Sequence, residues 1–317
     1  MPIDNVRDPK IAEEAGWLGS VDYPPSVILP GRVRRAGGKW FFEQIDDTLW
    51  SVRFDREWDG CSSEKRREYE QIGKSCGFSV MKHQYHGIVH KNTWWTLEKE
   101  GEGEPLRCWL KHEMHTECLQ RMGYNLGSAI RCFQENAAKQ KAISPPNCAT
   151  WSEELQTDID YLLYQHGLLG QKNRNEYILI DFIQENRHFL SALREKPILF
   201  SISSESLIVL EDSGVAVKDW RWVRFGDGVY DLLFLNDLGK TAPSFCKSVL
   251  EGYCNGAPTR DVYRRLALYT AIYTLKRLVE VGSGQVHYQD RQEALCHFQQ
   301  IITAFDSFST FIPVWAQ

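Results

Sequence analysis

The sequence predicts an α+β fold in two lobes. A small lobe of strands and one helix spans residues 37–106, a larger helical lobe with a short β insert spans 107–317, and an arm at 1–36 precedes both. Three observations predict this. Aromatic and β-branched runs separated by turn residues are confined to the first hundred residues, helical periodicity takes over after Leu106, and short apolar runs interrupt that periodicity once, between Pro197 and Trp220.

Taken in order, Pro24-Pro25 and Pro30-Gly31 break any periodic element before residue 36, which reads as an irregular arm. KWFFEQIDDTLWSVRFD, from Lys39 to Asp55, places two strand-like runs around Asp46-Asp47 and predicts a hairpin. The charged run that follows predicts a helix, with Ser62 or Ser63 as its cap and Gly77 at its stop. Residues Met81 to Glu100 read as two further strands, and GEGEPL as a polar crossover.

In the second lobe Met114, Cys118, Met122, Leu126, Ile130 and Phe133 recur every three or four residues, the stripe that one helix face buries. Thr150 and Glu153 form a T-x-x-E capping box, and a further helix runs from Glu176 towards Glu195. The insert holds strand-like runs at Ile198–Phe200, Leu207–Leu210 and Val215–Val217, with Asp212-Ser213-Gly214 as a turn. Thr259 to Gly282 reads as one long helix, and Asp290 to Phe308 as another.

Composition bounds function less than fold. With 37 Lys and Arg against 42 Asp and Glu, the formal net charge of −5 argues against nucleic acid as the main partner. No stretch approaches the roughly 18 uninterrupted apolar residues of a membrane-spanning helix, so a soluble, unprocessed, cytoplasmic protein without a membrane partner is expected. Nine scattered cysteines without a C-x-x-C pair read as reduced core thiols. His83, His86, His90, His112 and His115 lack Cys or acidic partners at metal-ligand spacing. Asp181 and Asn186 reproduce a D-x-x-x-x-N spacing, but inside a helical run.

Four strings carry a more specific signal: TWWTLEKEGEGEPL at Thr93–Leu106, LGSAIRCF at Leu126–Phe133, PILFSISSESLIVL at Pro197–Leu210, and VKDWRWVRFGDGVYDLLF at Val217–Phe234. On these, residues 37–305 resemble the aminoglycoside phosphotransferase and choline-kinase-like family. Its members have a bilobal protein-kinase-like fold and move a phosphoryl group from ATP or GTP to small hydroxylated or amine-bearing molecules.

The resemblance implies that Asp219 matches the metal-holding aspartate and that Arg53 stands where a strand cation contacts phosphates. Glu64 or Glu68 would pair with that cation. It also places Phe133 at a usual histidine, and lays the loop HGDLHPGN so that Phe200 replaces histidine, Ile202 the base aspartate and Leu207 the metal-binding asparagine. Phosphoryl transfer depends on charge compensation and positioning, and hydrocarbon at Ile202 and Leu207 supplies neither. Glu205 lies in the altered loop and reads either as part of a polar turn or as a substitute base or ligand.

The expectation is a protein of this fold without conventional kinase activity, binding a small molecule in the interlobe cleft or performing repurposed chemistry. The alternatives are an active phosphotransferase, using ATP and Mg with Glu205 or Asp227 as base, and an interaction scaffold whose Trp-rich small lobe meets a protein partner.

Overall fold

A computed structural model of the protein describes residues 32–36, 39–43, 49–56, 63–82, 84–90, 93–112, 115–139, 149–170, 173–191, 193–220, 222–283 and 288–317. The small lobe is a five-stranded antiparallel sheet in the order β1-β2-β3-β5-β4. Its strands are β1 (Arg32–Ala36), β2 (Lys39–Glu43), β3 (Leu49–Arg56), β4 (Gln84–His90) and β5 (Thr93–Lys99). The hairpin expected from Lys39 to Asp55 is β2–β3, closed with Glu43 opposite Leu49.

β1 corrects the reading of its segment as an irregular arm. RVRRA has no alternating apolar pattern, and what makes it a strand is its pairing with β2, Arg32 opposite Glu43 through Ala36 opposite Lys39. Helix α1 (Ser63–Ser75) follows β3 and stops as expected, with Gly77 at φ 102°, a left-handed conformation that glycine adopts without steric cost.

The strand that leaves the small lobe, β6 (Glu104–Pro105), joins the larger lobe's sheet. It pairs with β8 (Leu207–Val209), which pairs in turn with β9 (Val215–Val217). A second tie across the lobes is the backbone bridge between Ser79 and Ala216, with the Ser79 N–H donating to Val215 O at 2.9 Å. The boundary near Leu106 is therefore a hydrogen-bonded hinge, continued by the one-turn helix α2 (Leu106–Trp109).

Helix α3 (Thr116–Ala137) buries Met122, Leu126, Ile130 and Phe133, the stripe read from the sequence. Helix α4 (Trp151–Leu168) begins at the expected capping box, in which the Glu153 N–H donates to Thr150 Oγ1 and the Thr150 N–H donates to Glu153 Oε2. Helix α5 (Arg174–Asn186) is shorter than its periodic run, because Arg187–Leu190 tightens into a 3₁₀ turn. Asp181 is exposed on it and the Asn186 side-chain amide donates to Phe182 O, so that kinase-like spacing is helical coincidence.

After the short strands β7 (Lys196–Ile198) and β10 (Arg224–Gly226) come the single turn α6 (Leu235–Leu238) and α7 (Pro243–Cys254), a helix that sequence periodicity did not separate. Helix α8 (Arg260–Gly282) starts at Thr259, whose side chain accepts from the Val262 N–H, and α9 (Tyr288–Ala304) closes the lobe. No helix among the described residues is long and apolar enough to cross a membrane.

Helices α3 and α7 pack backbone to backbone. A Cβ added at Gly127 would lie 2.0 Å from Val249 O, and one at Gly252 would lie 2.0 Å from Tyr124 O. Gly127→Ala must therefore push two helices apart, and is expected to cost about 3 kcal/mol. Urea unfolding checks this, with Asn125→Ala at an exposed position of α3 as the control.

Candidate functional site

The segment Leu199–Ser206 connects β7 to β8 and is held from below by one buried carboxylate. Asp231, 1% exposed, accepts the Leu199 N–H on Oδ2 and the Phe200 N–H on Oδ1, both at 2.8 Å. The Gln134 side-chain amide donates to the same carboxylate at 3.0 Å and to Gly228 O at 3.0 Å, while the Tyr253 hydroxyl donates to Gln134 Oε1. Burial pushes the Asp231 carboxyl up to about 6, against the downward pull of these hydrogen bonds.

Phe200 is consequently not the end of a strand, as the apolar run Ile198–Phe200 suggested. It sits at φ 58°, a left-handed conformation that is uncommon for a bulky residue. The two N–H groups turned onto Asp231 are the physical reason. The Phe200 ring stacks on Tyr230 at 5.4 Å, and the Arg224 guanidinium lies 4.8 Å from the ring centroid of Phe200 and 5.1 Å from that of Trp151. Arg224 also pairs with Glu154, so aromatic and cationic groups fill the place where the resemblance puts a catalytic-loop histidine.

The next residues build a polar turn. The Ser203 N–H donates to Ser206 Oγ at 2.8 Å and the Ser206 N–H to Ser203 Oγ at 3.1 Å. Glu205 is exposed and pairs with Arg107 of α2 at 3.3 Å. Leu207 is fully buried at the start of β8, and Ile202 is half-buried in the wall of a cavity. Neither side chain can coordinate an ion or accept a proton.

Asp219 is half-buried just beyond β9. Its neighbours on both sides bind the small lobe. Lys218 pairs with Glu98 of β5 at 3.1 Å, and its N–H donates to Ser206 O. Trp220, 3% exposed, packs edge-on against Phe78 and at 5.3 Å against Phe133, and a Cβ at Gly73 of α1 would collide with its ring. Phe133, at a usual histidine of the resemblance, is thus core under Trp220.

The β8–β9 register pairs Leu207 with Val217, and its continuation through Ser206 and Lys218 runs towards Glu205 and Asp219. The last hydrogen bond of this pairing is that between the Lys218 N–H and Ser206 O, and the Glu205 side chain is turned to Arg107. Arg53 lies on β3 opposite Lys39 and Thr96, and its side chain lies outside the described residues. So does that of Glu64. Glu68 is half-buried on α1, and its pairing with Arg53 also lies outside the described residues.

Asp227, the other candidate base, is structural. It is 2% exposed, caps the Val229 N–H, and accepts from Arg265 at 2.6 Å and from the Tyr269 hydroxyl at 2.8 Å. No group of three or more His, Cys, Asp or Glu suited to a metal occurs among the described residues. Trp50 is buried, whereas the side chains of Trp40, Trp94 and Trp95 lie outside the described residues, as does His83.

A cavity of about 190 Å³ opens beside the loop. Phe200, Ile202, Tyr230, Phe234 and Tyr273 supply apolar walls. Asn236 donates to Thr270 Oγ1 at 2.8 Å, and its Oδ1 is buried with no hydrogen-bond partner among the described residues. Asp237 pairs with His297 at 3.0 Å on the rim.

Sequence reading missed two residues here. Asp231 interrupts the apolar run VYDLLFL, and Gln134 is polar beside the buried face of its helix; each was visible as a polar group where a core was predicted.

A five-stranded small lobe, a hinge strand paired into the larger lobe and a loop slung from a buried aspartate define the bilobal protein-kinase-like fold. Solved structures narrow it to the aminoglycoside-phosphotransferase and choline-kinase-like form. A choline/ethanolamine kinase family protein from Mesorhizobium loti matches at TM-score 0.60 and 16% identity, over 98% of this chain and 96% of that one. An aminoglycoside phosphotransferase from Alicyclobacillus acidocaldarius matches at TM-score 0.57 and 10% identity, over 92% and 96%. The choline kinase of Streptococcus pneumoniae matches at TM-score 0.53 and 12% identity, over 94% and 99%. No family model and no curated protein matches the chain.

Proposed function

We propose that this protein uses a phosphotransferase fold to bind a small molecule beside the altered loop, without conventional kinase chemistry. The observation that supports the reading is the loop itself: Asp231 holds its Leu199 and Phe200 N–H groups, Leu207 is buried, and the family resemblance lays Ile202 and Leu207 at the base and metal-amide positions. Glu205, the loop's one carboxylate, is directed to Arg107. Magnesium takes oxygen ligands in near-octahedral geometry and hydrocarbon at Ile202 and Leu207 supplies none, so these loop residues do not fit the two-ligand metal site that the family resemblance implies. No phosphoryl-transfer step is derived through it.

The ligand this pocket suits has an apolar or aromatic body to lie against Phe200, Tyr230 and Phe234. Its polar groups would meet Ser201, Asp237 and His297, which line the same cavity.

One observation favours a second reading, an active phosphotransferase. Glu205 and Asp219 are the sequence neighbours of Ser206 and Lys218, whose backbones are hydrogen-bonded, so a Glu205 released from Arg107 is the acidic side chain of the loop nearest in the chain to this junction.

Thermal unfolding with Mg-ATP, run alongside ADP release against hydroxylated and amine-bearing acceptors, separates the readings. No stabilisation and no ADP release is the expected result. A saturable shift, worth about 2.7 kcal/mol at 100 times the dissociation constant, together with ADP release that Glu205→Gln abolishes, would establish the second reading and overturn the first.

A further inference from the structure

The described cysteines are all free, and they are not all the core thiols that the sequence suggested. Cys246 is buried, Cys296 is exposed, and the other five are half-buried. Two of them meet across the lobes. Cys76 follows the last residue of α1, and Cys132 lies on α3, one residue before Phe133. The Asn136 side-chain amide donates to both sulfurs, at 3.4 Å each, so one nitrogen bridges the two thiols. One amide nitrogen within 3.4 Å of both sulfurs makes these half-buried thiols neighbours, on elements distant in sequence, and a disulfide between them requires only that the side chains turn towards each other across that amide.

We propose that Cys76 and Cys132 form a reversible intramolecular disulfide by exchange with a small-molecule disulfide, fastening α1 to α3. The Cys76 thiolate attacks one sulfur of the reagent, forming a mixed disulfide and expelling one equivalent of thiolate. Cys132 then loses its proton and attacks the Cys76 sulfur, expelling the second equivalent. The two cysteines together give up two electrons and two protons, and the reagent disulfide is reduced to two thiols.

Burial and the neighbouring thiol push Cys132 up to about 11, so its thiolate is scarce: the first attack falls to Cys76, and closure by Cys132 is the slower step. The bond would act where the lobes meet. α1 also carries Gly73, which abuts Trp220 beside Asp219, while α3 carries Phe133 against Trp220 and Gln134 under the loop. This inference does not depend on the ligand reading above, because it concerns thiols outside the pocket.

The test equilibrates the full chain in glutathione buffers of graded redox potential, quenches with acid, alkylates, and maps peptides by mass spectrometry without reduction. A cross-linked Cys76–Cys132 peptide that dithiothreitol removes is the expected product. Cys132→Ser should instead accumulate glutathione on Cys76, a trapped intermediate that a merely structural pair would not yield. Because the closed loop runs from residue 76 to 132, the oxidised wild type should melt on the order of 5–10 °C higher than the reduced form. Glutathione on either cysteine without the cross-link, cross-links to other cysteines only, or two thiols that stay alkylatable at every potential would each overturn the proposal.

Discussion

Asp231→Ala is expected to destabilise the protein by about 3–5 kcal/mol, because it strands buried donors that no other group can satisfy. The Leu199 and Phe200 N–H groups and the Gln134 amide all converge on this carboxylate, and the left-handed turn at Phe200 loses what holds it. Guanidinium unfolding measures the loss. Its pH dependence has a definite sign. Burial raises the folded carboxyl to about 6, above its unfolded value of ~3.9, so the folded state binds the extra proton between these values. The stabilisation linked to that proton is complete below the unfolded value and lost as pH rises through about 6. Wild type should therefore exceed Asp231→Ala by a wider margin at acid pH than at neutral pH, by up to about 3 kcal/mol. A margin that grows with pH would mean that the hydrogen bonds outweigh burial and hold the carboxyl low.

Trp220→Ala should cost a comparable 3–5 kcal/mol, about the range for removing a large buried aromatic. Its effect should also be directional. Trp220 joins Phe78 after α1 to Phe133 of α3, with Gly73 placed to admit its ring, so the cavity opens between the lobes rather than inside one of them. Hydrogen exchange should then rise first in α1 and at the Ser79–Ala216 bridge, while α8 keeps its protection. Uniform acceleration through both lobes would show instead that the ring supports the whole larger lobe. Trp220→Phe, which retains part of the volume, should recover more than half of the loss.

Both residues sit in the string Val217–Phe234, which carried the most specific part of the family resemblance, yet the sequence revealed them unequally. Asp219-Trp220 takes its expected role from neighbouring residues that repeat a recognisable order. Asp231 was part of the same string but had no assigned role, since its partners are the backbone of Leu199 and Phe200, more than thirty residues earlier. Glu98 and Lys218 are similar: each looks like a surface charge in its own strand, and only their 3.1 Å pairing makes them a tie between lobes.

Local signals fared best where the physics is local. The Thr150–Glu153 box, the Thr259 cap and the Gly77 stop each satisfy or redirect backbone groups within a few residues, and each is where the sequence put it. The errors fall where long-range pairing wins. Arg32–Ala36 becomes a strand because β2 offers it hydrogen bonds, and Ile198–Phe200 ends early because Asp231 takes the N–H groups that would have extended the strand.

The amino-acid order by itself therefore determined the two-lobed α+β plan and most helix and strand positions. Only the folded chain decided that Glu205 turns to Arg107, that Asp227 is spent on Arg265 and Tyr269, and that Asp231 carries the loop. The reason is that periodicity and caps act over single turns of chain, whereas the cost of burying a polar group is met by whichever partner the packing brings near.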